Sequence, residues 1–184
     1  MFYLESLLSL WGVAAPVPRD VPLPLPLPEG VLVFLLVVSF LLHILFVNLM
    51  LGGSLLTLWA EIKGRKDKKY DNLAREIANT ITVNKSLAVV LGVAPLLSIN
   101  TLYTLFFYSA NSLTGTLWVS IVPLVTIAFL LLYFHKYSWE RYKDKKGFHL
   151  WLNGIAAAIL LFVPFIFLTN INLMLFPEQW GGFF

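Results

Sequence analysis

Four long apolar stretches divide the chain, and their hydrophobic pattern favours helices that cross a membrane. They run over about residues 31–60, 86–108, 117–134 and 150–176. A bilayer core about 30 Å thick needs roughly 20 apolar residues at 1.5 Å per residue, and each stretch approaches or exceeds that length. No alternation of apolar and polar residues over ten-residue segments indicates a barrel. The pattern therefore predicts an all-α integral membrane protein built as a bundle of four transmembrane helices.

The first 30 residues differ from the rest and predict a separate segment. Residues 1–13 are apolar and lack the cationic start of a secretory signal, so we expect a short interfacial helix on the outer membrane face. In "PVPRDVPLPLPLPEG", residues 16–30, prolines alternate with leucine or valine, which favours an extended polyproline II strap. We therefore divide the chain into this helix and strap, residues 1–30, and a transmembrane domain, residues 31–184.

Composition and charge support the membrane interpretation and orient the chain. Hydrophobic residues make up 59% and charged residues 12%, against roughly 45–50% and about 25% in soluble domains. Seven of the 13 cations lie within residues 63–85 and five within residues 136–146. Because cations collect in cytoplasmic loops, both segments are expected in the cytoplasm. The neutral link over residues 109–116 and both termini then face outside, and this placement of the cations argues against nucleic-acid binding.

Helical spacing of leucine and isoleucine within residues 70–85 predicts a cytoplasmic-surface helix that leads into the second transmembrane helix. A solvated face that helps insertion is the alternative.

Few residues can carry chemistry. The apolar cores of the four predicted helices contain no carboxylate, which argues against a self-contained pump or ion-coupled carrier and against hydrolytic catalysis. The chain has no cysteine, so disulfides, iron–sulfur clusters and covalent c-type haem are excluded. Three histidines remain as candidate ligands.

His43 lies well inside the first apolar stretch. A neutral imidazole at that depth can be an axial haem ligand, with its second nitrogen bound to a carbonyl or hydroxyl group. The alternative is a histidine that only hydrogen-bonds to a neighbouring helix. His135 and His149 lie at the cytoplasmic ends of the third and fourth helices, at similar depth. They could hold a second haem between facing helices, or be interfacial histidines without a ligand.

Two segments resemble a known family. "HILFVNLMLGGSLLTLWAEIKG", residues 43–64, resembles the first helix of the cytochrome bd quinol oxidase large subunit. "AVVLGVAPLLSINTLYTLFFYSANSLTG", residues 88–115, is similar to its second helix. The likeness extends over residues 31–140, the N-terminal four-helix part of that subunit. It is closer still to uncharacterised bd-like membrane modules associated with multihaem c-type cytochromes.

The resemblance implies that His43 ligates a b-type haem iron. The haem is expected near Gly92–Ser98 of the second helix, because antiparallel packing of the two helices brings that stretch to the depth of His43. The chain would then be a multi-pass inner-membrane subunit of a respiratory or extracellular electron-transfer complex. It would relay electrons between the quinone pool and a periplasmic multihaem c-type cytochrome, alongside other membrane subunits, with both termini in the periplasm. Quinone is a second candidate ligand.

The chain also departs from that family. It has no counterpart of the glutamates in the oxidase's third helix or of its quinol loop, so oxygen reduction by this chain alone is not implied. At most we expect a non-catalytic or quinol-oxidising subunit of an oxidoreductase complex. The alternative is a cofactor-free membrane anchor or assembly subunit that tethers a periplasmic redox protein. A small-solute carrier is disfavoured by the missing intramembrane charges.

Overall fold

Four long helices make up most of the protein. The computed structural model describes residues 24–183. The helices are α1 (Glu29–Gly64), α2 (Lys68–Leu102), α3 (Thr104–Tyr137) and α4 (Lys146–Leu175), followed by a short 3-10 helix (Pro177–Phe183). Each of the four is long and apolar enough to cross a membrane, as the hydrophobic pattern predicts. The predicted helix over residues 1–13 and the strap up to residue 23 lie outside the described residues.

The helices form two antiparallel hairpins that close into a bundle. α1 packs along α2 and α3 along α4, and the two hairpins meet through α2 with α3 and α4 with α1. A buried cluster that includes Met50, Ile81, Leu132 and Leu160 draws side chains from all four helices and fills the centre. Many large apolar side chains remain exposed on all four helices. Water does not favour so extensive an apolar surface, whereas a bilayer or partner helices would cover it.

The predicted surface helix over residues 70–85 is not a separate element. Asp67 caps the start of α2, its side chain accepting a hydrogen bond from the Lys69 backbone N–H at 2.9 Å, and the helix then continues without interruption to Leu102. Ala74 and Ala78 are buried along this first half. Of the apolar positions that predicted a membrane-surface helix, Ile81 is buried but Leu73 is exposed, so the two alanines and Ile81 form the inner face of this half of α2.

The predicted link over residues 109–116 is mostly helical. The bent segment, residues 104–114, forms the first part of α3, and a non-helical kink at Gly115 (φ 39°, ψ −105°) separates it from the rest of that helix. The small polar residues of this segment satisfy their hydrogen bonds within the helix. The Thr114 hydroxyl donates to the Ala110 carbonyl at 3.0 Å, and the Ser112 hydroxyl donates to the Tyr108 carbonyl at 3.0 Å. Such local bonding lets a loop-like sequence remain helical.

The bent segment packs against the end of α4. Phe107 and Ala110 are buried in a cluster with Leu173 and Trp180. An amide pair also joins the helices, since the Asn170 Nδ2–H group donates to the Asn111 Oδ1 atom at 2.7 Å. This end of the bundle therefore has its own core, separate from the central cluster.

Gly53 sets how closely α1 approaches α2. A Cβ at this position would lie 2.2 Å from the Ile81 Cγ2 atom, and Ile81 is itself buried. At the neighbouring Gly52, an added Cβ would meet nothing within 4 Å. Of these two glycines, only Gly53 is therefore required for helix packing.

Gly53→Ala and Gly52→Ala form a matched pair that tests this contact. We expect Gly53→Ala to lose about 1–3 kcal/mol of stability through overpacking. Gly52→Ala should be neutral or stabilising, since alanine favours helix by about 1 kcal/mol over glycine. The measurement is the unfolding midpoint of each purified variant in detergent. Equal midpoints for the two variants would show that the α1–α2 spacing does not depend on Gly53.

Candidate functional site

His43 lies in the N-terminal half of α1 and contacts α2. Its Nδ1 atom is 2.8 Å from the backbone carbonyl of Ala88, which can only accept a hydrogen bond, so Nδ1 carries the hydrogen. The ring also lies against Gly92, where an added Cβ would be 2.9 Å from the His43 Cε1 atom. The sequence prediction that Gly92 lies at the depth of His43 is therefore confirmed. No residue that the structure describes is hydrogen-bonded to the His43 Nε2 atom, and its lone pair can bind a ligand.

The half of α1 that carries His43 is loosely surrounded. Between Val31 and Leu49, only Leu32 is buried by the residues that the structure describes, and His43 is half-buried. The other half of α1 is embedded in the bundle, with Ser54, Thr57 and Glu61 fully buried. A ligand or a partner helix could therefore reach His43 without disturbing the core.

A second group of polar side chains is buried at the opposite end of the bundle. Glu61 of α1, His135 of α3 and His149 of α4 have relative exposures of 0%, 1% and 0%. The His135 Nε2–H group donates to the Glu61 Oε2 atom at 2.9 Å, and His149 Nδ1 contacts the other carboxylate oxygen, Oε1. His149 Nε2–H donates to the backbone carbonyl of His135 at 2.7 Å. One carboxylate thus joins three helices.

The hydrogen-bond pattern fixes one proton between Glu61 and His149. Because the His135 carbonyl only accepts, the His149 Nε2 atom must carry a hydrogen. The contact between Nδ1 and Oε1 then needs a second hydrogen, held by either the imidazole or the carboxyl group. The pair is therefore either an imidazolium with a carboxylate or a neutral imidazole with a carboxylic acid.

Aromatic and charged residues enclose this cluster. The His135 and His149 rings stack with centroids 3.9 Å apart, and Trp139 packs edge-on against both. The Lys146 Nζ atom lies 3.8 Å from the Glu61 Oε1 atom and 2.6 Å from the Asp71 Oδ1 atom. The surrounding shell contains few polar groups, and its charges are themselves paired.

The structure brings His135 and His149 together, but not in an arrangement that fits a shared haem. A macrocycle held between two histidines needs the rings on opposite sides of its plane. Here the rings stack directly on each other, and the nitrogens that face the cluster interior are bonded to Glu61. We therefore derive no function from a second haem at this pair.

Sequence reasoning missed two buried charged residues. Glu61 directly follows the first apolar stretch, which is predicted to end at residue 60. It is therefore not among the candidate residues that the sequence places inside a helix. Lys85 was assigned to the loop cations, yet it lies inside α2, is 1% exposed, and its Nζ atom has no hydrogen-bond partner among the described residues. It lies over the ring of Tyr133 instead. The signal for Glu61 was its position at the same end of the bundle as His135 and His149.

No protein-family model, curated protein or solved structure matches this chain.

Substitution of Glu61 tests how much the carboxylate stabilises the bundle. Glu61→Ala leaves two buried imidazoles without their partner, and we expect a loss of about 3–5 kcal/mol. Glu61→Gln should lose much less, because the amide can accept from His135 and donate to His149. The measurement is the unfolding midpoint in detergent.

Glu140 provides the matched control. It pairs with Arg75 at 2.6 Å, but both side chains are exposed, so Glu140→Ala should cost less than about 1 kcal/mol. If Glu61→Ala proved as stable as Glu140→Ala, the buried network would not be a major source of stability.

Proposed function

We propose that the chain is an integral membrane subunit of an electron-transfer complex and that His43 is the axial ligand of a b-type haem. The observation that supports this most is the hydrogen bond from His43 Nδ1–H to the Ala88 carbonyl at 2.8 Å. Metal-bound histidines characteristically donate their other ring N–H to such an acceptor, which fixes the tautomer and orients the ring. His43 is thereby held with Nε2 free to bind iron.

The residues around His43 fit this role. Gly92 leaves room for the imidazole. The Ala88 carbonyl accepts a hydrogen bond from the Nδ1–H group, which makes the Nε2 atom a more basic ligand for a metal. When bound, the haem supplies a one-electron carrier within the membrane. The low burial of this half of α1 leaves space for it beside neighbouring subunits.

We further propose an orientation and a partner. The cation-rich connections, α1 to α2 and α3 to α4, face the cytoplasm, so both termini lie in the periplasm of a multi-pass inner-membrane protein. A periplasmic multihaem c-type cytochrome would then exchange electrons with the haem at His43, with the quinone pool as the second redox partner. The chain would be a non-catalytic or quinol-oxidising subunit.

A cofactor-free anchor or assembly subunit is the second candidate. It is favoured by the fact that the hydrogen bond of His43 already joins α1 to α2, which is sufficient reason for a polar side chain at this position. The distinction between the two candidates depends on whether the purified protein contains haem.

The absorption spectrum of the purified chain tests the haem assignment. We expect the reduced protein to show a b-type α-band, His43→Ala to lose most of the Soret absorbance, and added imidazole to restore part of it. Gly52→Ala should keep the wild-type spectrum, because no side chain lies near that position. A colourless wild-type protein, or unchanged Soret absorbance in His43→Ala, would favour the anchor.

Single cysteines test the orientation, because the natural chain contains none. Ser112 lies in the bent segment of α3, Asp144 lies between α3 and α4, and both are exposed. In intact spheroplasts, we expect a membrane-impermeant maleimide to label Ser112→Cys, and to label Asp144→Cys only after permeabilisation. The reverse pattern would place the termini in the cytoplasm.

A further inference from the structure

We propose that Glu61, His135 and His149 form a binding site for a divalent first-row transition metal. Each residue offers one ligand atom, and these three atoms all lie within 4.8 Å of one another. Three different helices supply them, and all three side chains are buried. This site lies far from His43, since the 18 residues from His43 to Glu61 span about 27 Å of helix.

The donor set indicates the class of metal. Two imidazole nitrogens and a carboxylate oxygen suit Zn²⁺, Fe²⁺ or Mn²⁺, whereas Ca²⁺ and Mg²⁺ prefer sites made only of oxygen. No thiolate is available anywhere in the chain to favour a softer ion. Three protein ligands also leave one coordination position open, as in catalytic rather than closed structural zinc sites.

The surroundings resemble the outer shell of a metal site. His149 presents Nδ1 to the cluster while its Nε2–H group donates to the His135 carbonyl, an arrangement that orients a ligating imidazole. Trp139 covers both rings and keeps water away from them. Asp71 pairs with Lys146, which reduces the repulsion between that ammonium group and an entering cation.

Metal entry requires the side chains to move and to release protons. Donors bound at about 2.0–2.1 Å in a tetrahedral site lie about 3.3 Å apart. The His135 Nε2 and Glu61 Oε2 atoms are 2.9 Å apart, so this pair must separate by a few tenths of an ångström, and the closer His149–Glu61 pair must separate further. The stacked rings must also spread, and the proton between Glu61 and His149 must leave. The hydrogen on His135 Nε2 must move to Nδ1 of the same ring, so that the Nε2 lone pair can bind the metal. The metal would then bind α1, α3 and α4 together more tightly than hydrogen bonds do.

Elemental analysis of the full-length chain tests the site. The protein is expressed in medium supplemented with zinc, iron and manganese, and purified in detergent without a polyhistidine tag. Haem iron is measured separately from the haemochrome spectrum and subtracted. We expect about one non-haem metal ion per wild-type chain. The Glu61→Gln variant should keep its fold and its haem content but lose most of this metal, while Glu140→Gln should match wild type.

A second measurement does not depend on the variants folding. Wild-type protein stripped with a chelator is titrated with Zn²⁺ and Co²⁺. We expect Zn²⁺ to raise the melting temperature, and Co²⁺ to give visible ligand-field bands typical of a low-coordinate site with nitrogen donors.

Two results would overturn the proposal. One is a wild-type protein that contains no non-haem metal and responds to neither ion. The other is a Glu61→Gln protein that retains as much non-haem metal as wild type. A colourless protein that still binds one metal ion would instead contradict the haem assignment alone and leave this site intact.

Discussion

The hydrogen bonds between Glu61 and the two imidazoles of His135 and His149 are the interaction on which one end of the bundle depends. This is the end where α1 connects to α2 and α3 connects to α4. Removing an ionised carboxylate from water costs several kcal/mol, and this cost is offset only when every oxygen finds a good partner. His135 and His149 supply those partners from two other helices. Because a single side chain bonds to α3 and α4 together, the two hairpins are held in one relative position. Apolar packing alone would specify that position less uniquely.

Away from this cluster, small residues determine how the helices approach one another. Gly53 allows α1 to contact Ile81 of α2, and Gly92 gives the same two helices room for an imidazole. Between α1 and α4, the Asn153 side-chain amide donates to the Ser54 carbonyl at 3.0 Å. Inside a bilayer the hydrophobic effect would contribute little between helices, so close packing and such hydrogen bonds would account for their association there.

The two polar sites differ in what they require from the rest of the assembly. His43 lies where the described residues bury little of α1, so a cofactor there would depend on neighbouring subunits for its cover. The Glu61 cluster is complete within the chain and closed to water. A site that is open to partners suits electron exchange, whereas a site enclosed by three helices suits an ion that stays bound. The proposed haem and the proposed metal are therefore independent features of the same bundle.

The sequence by itself determined that the described chain would be four long apolar helices, because a hydrophobic run of this length needs only local hydrogen bonds to become helical. It also identified all three histidines and the common depth of His43 and Gly92. It did not determine where the helices end. The small polar residues of 109–116 are typical of a loop, and only the tertiary structure shows that Asn111 bonds to Asn170 of α4 from within a helix. It did not identify Glu61 either, because a carboxylate one residue beyond an apolar run is normally solvated. Only the tertiary structure decided that His135 and His149 converge on that carboxylate, since the two histidines are 74 and 88 positions from Glu61 along the chain and meet it through helix packing alone.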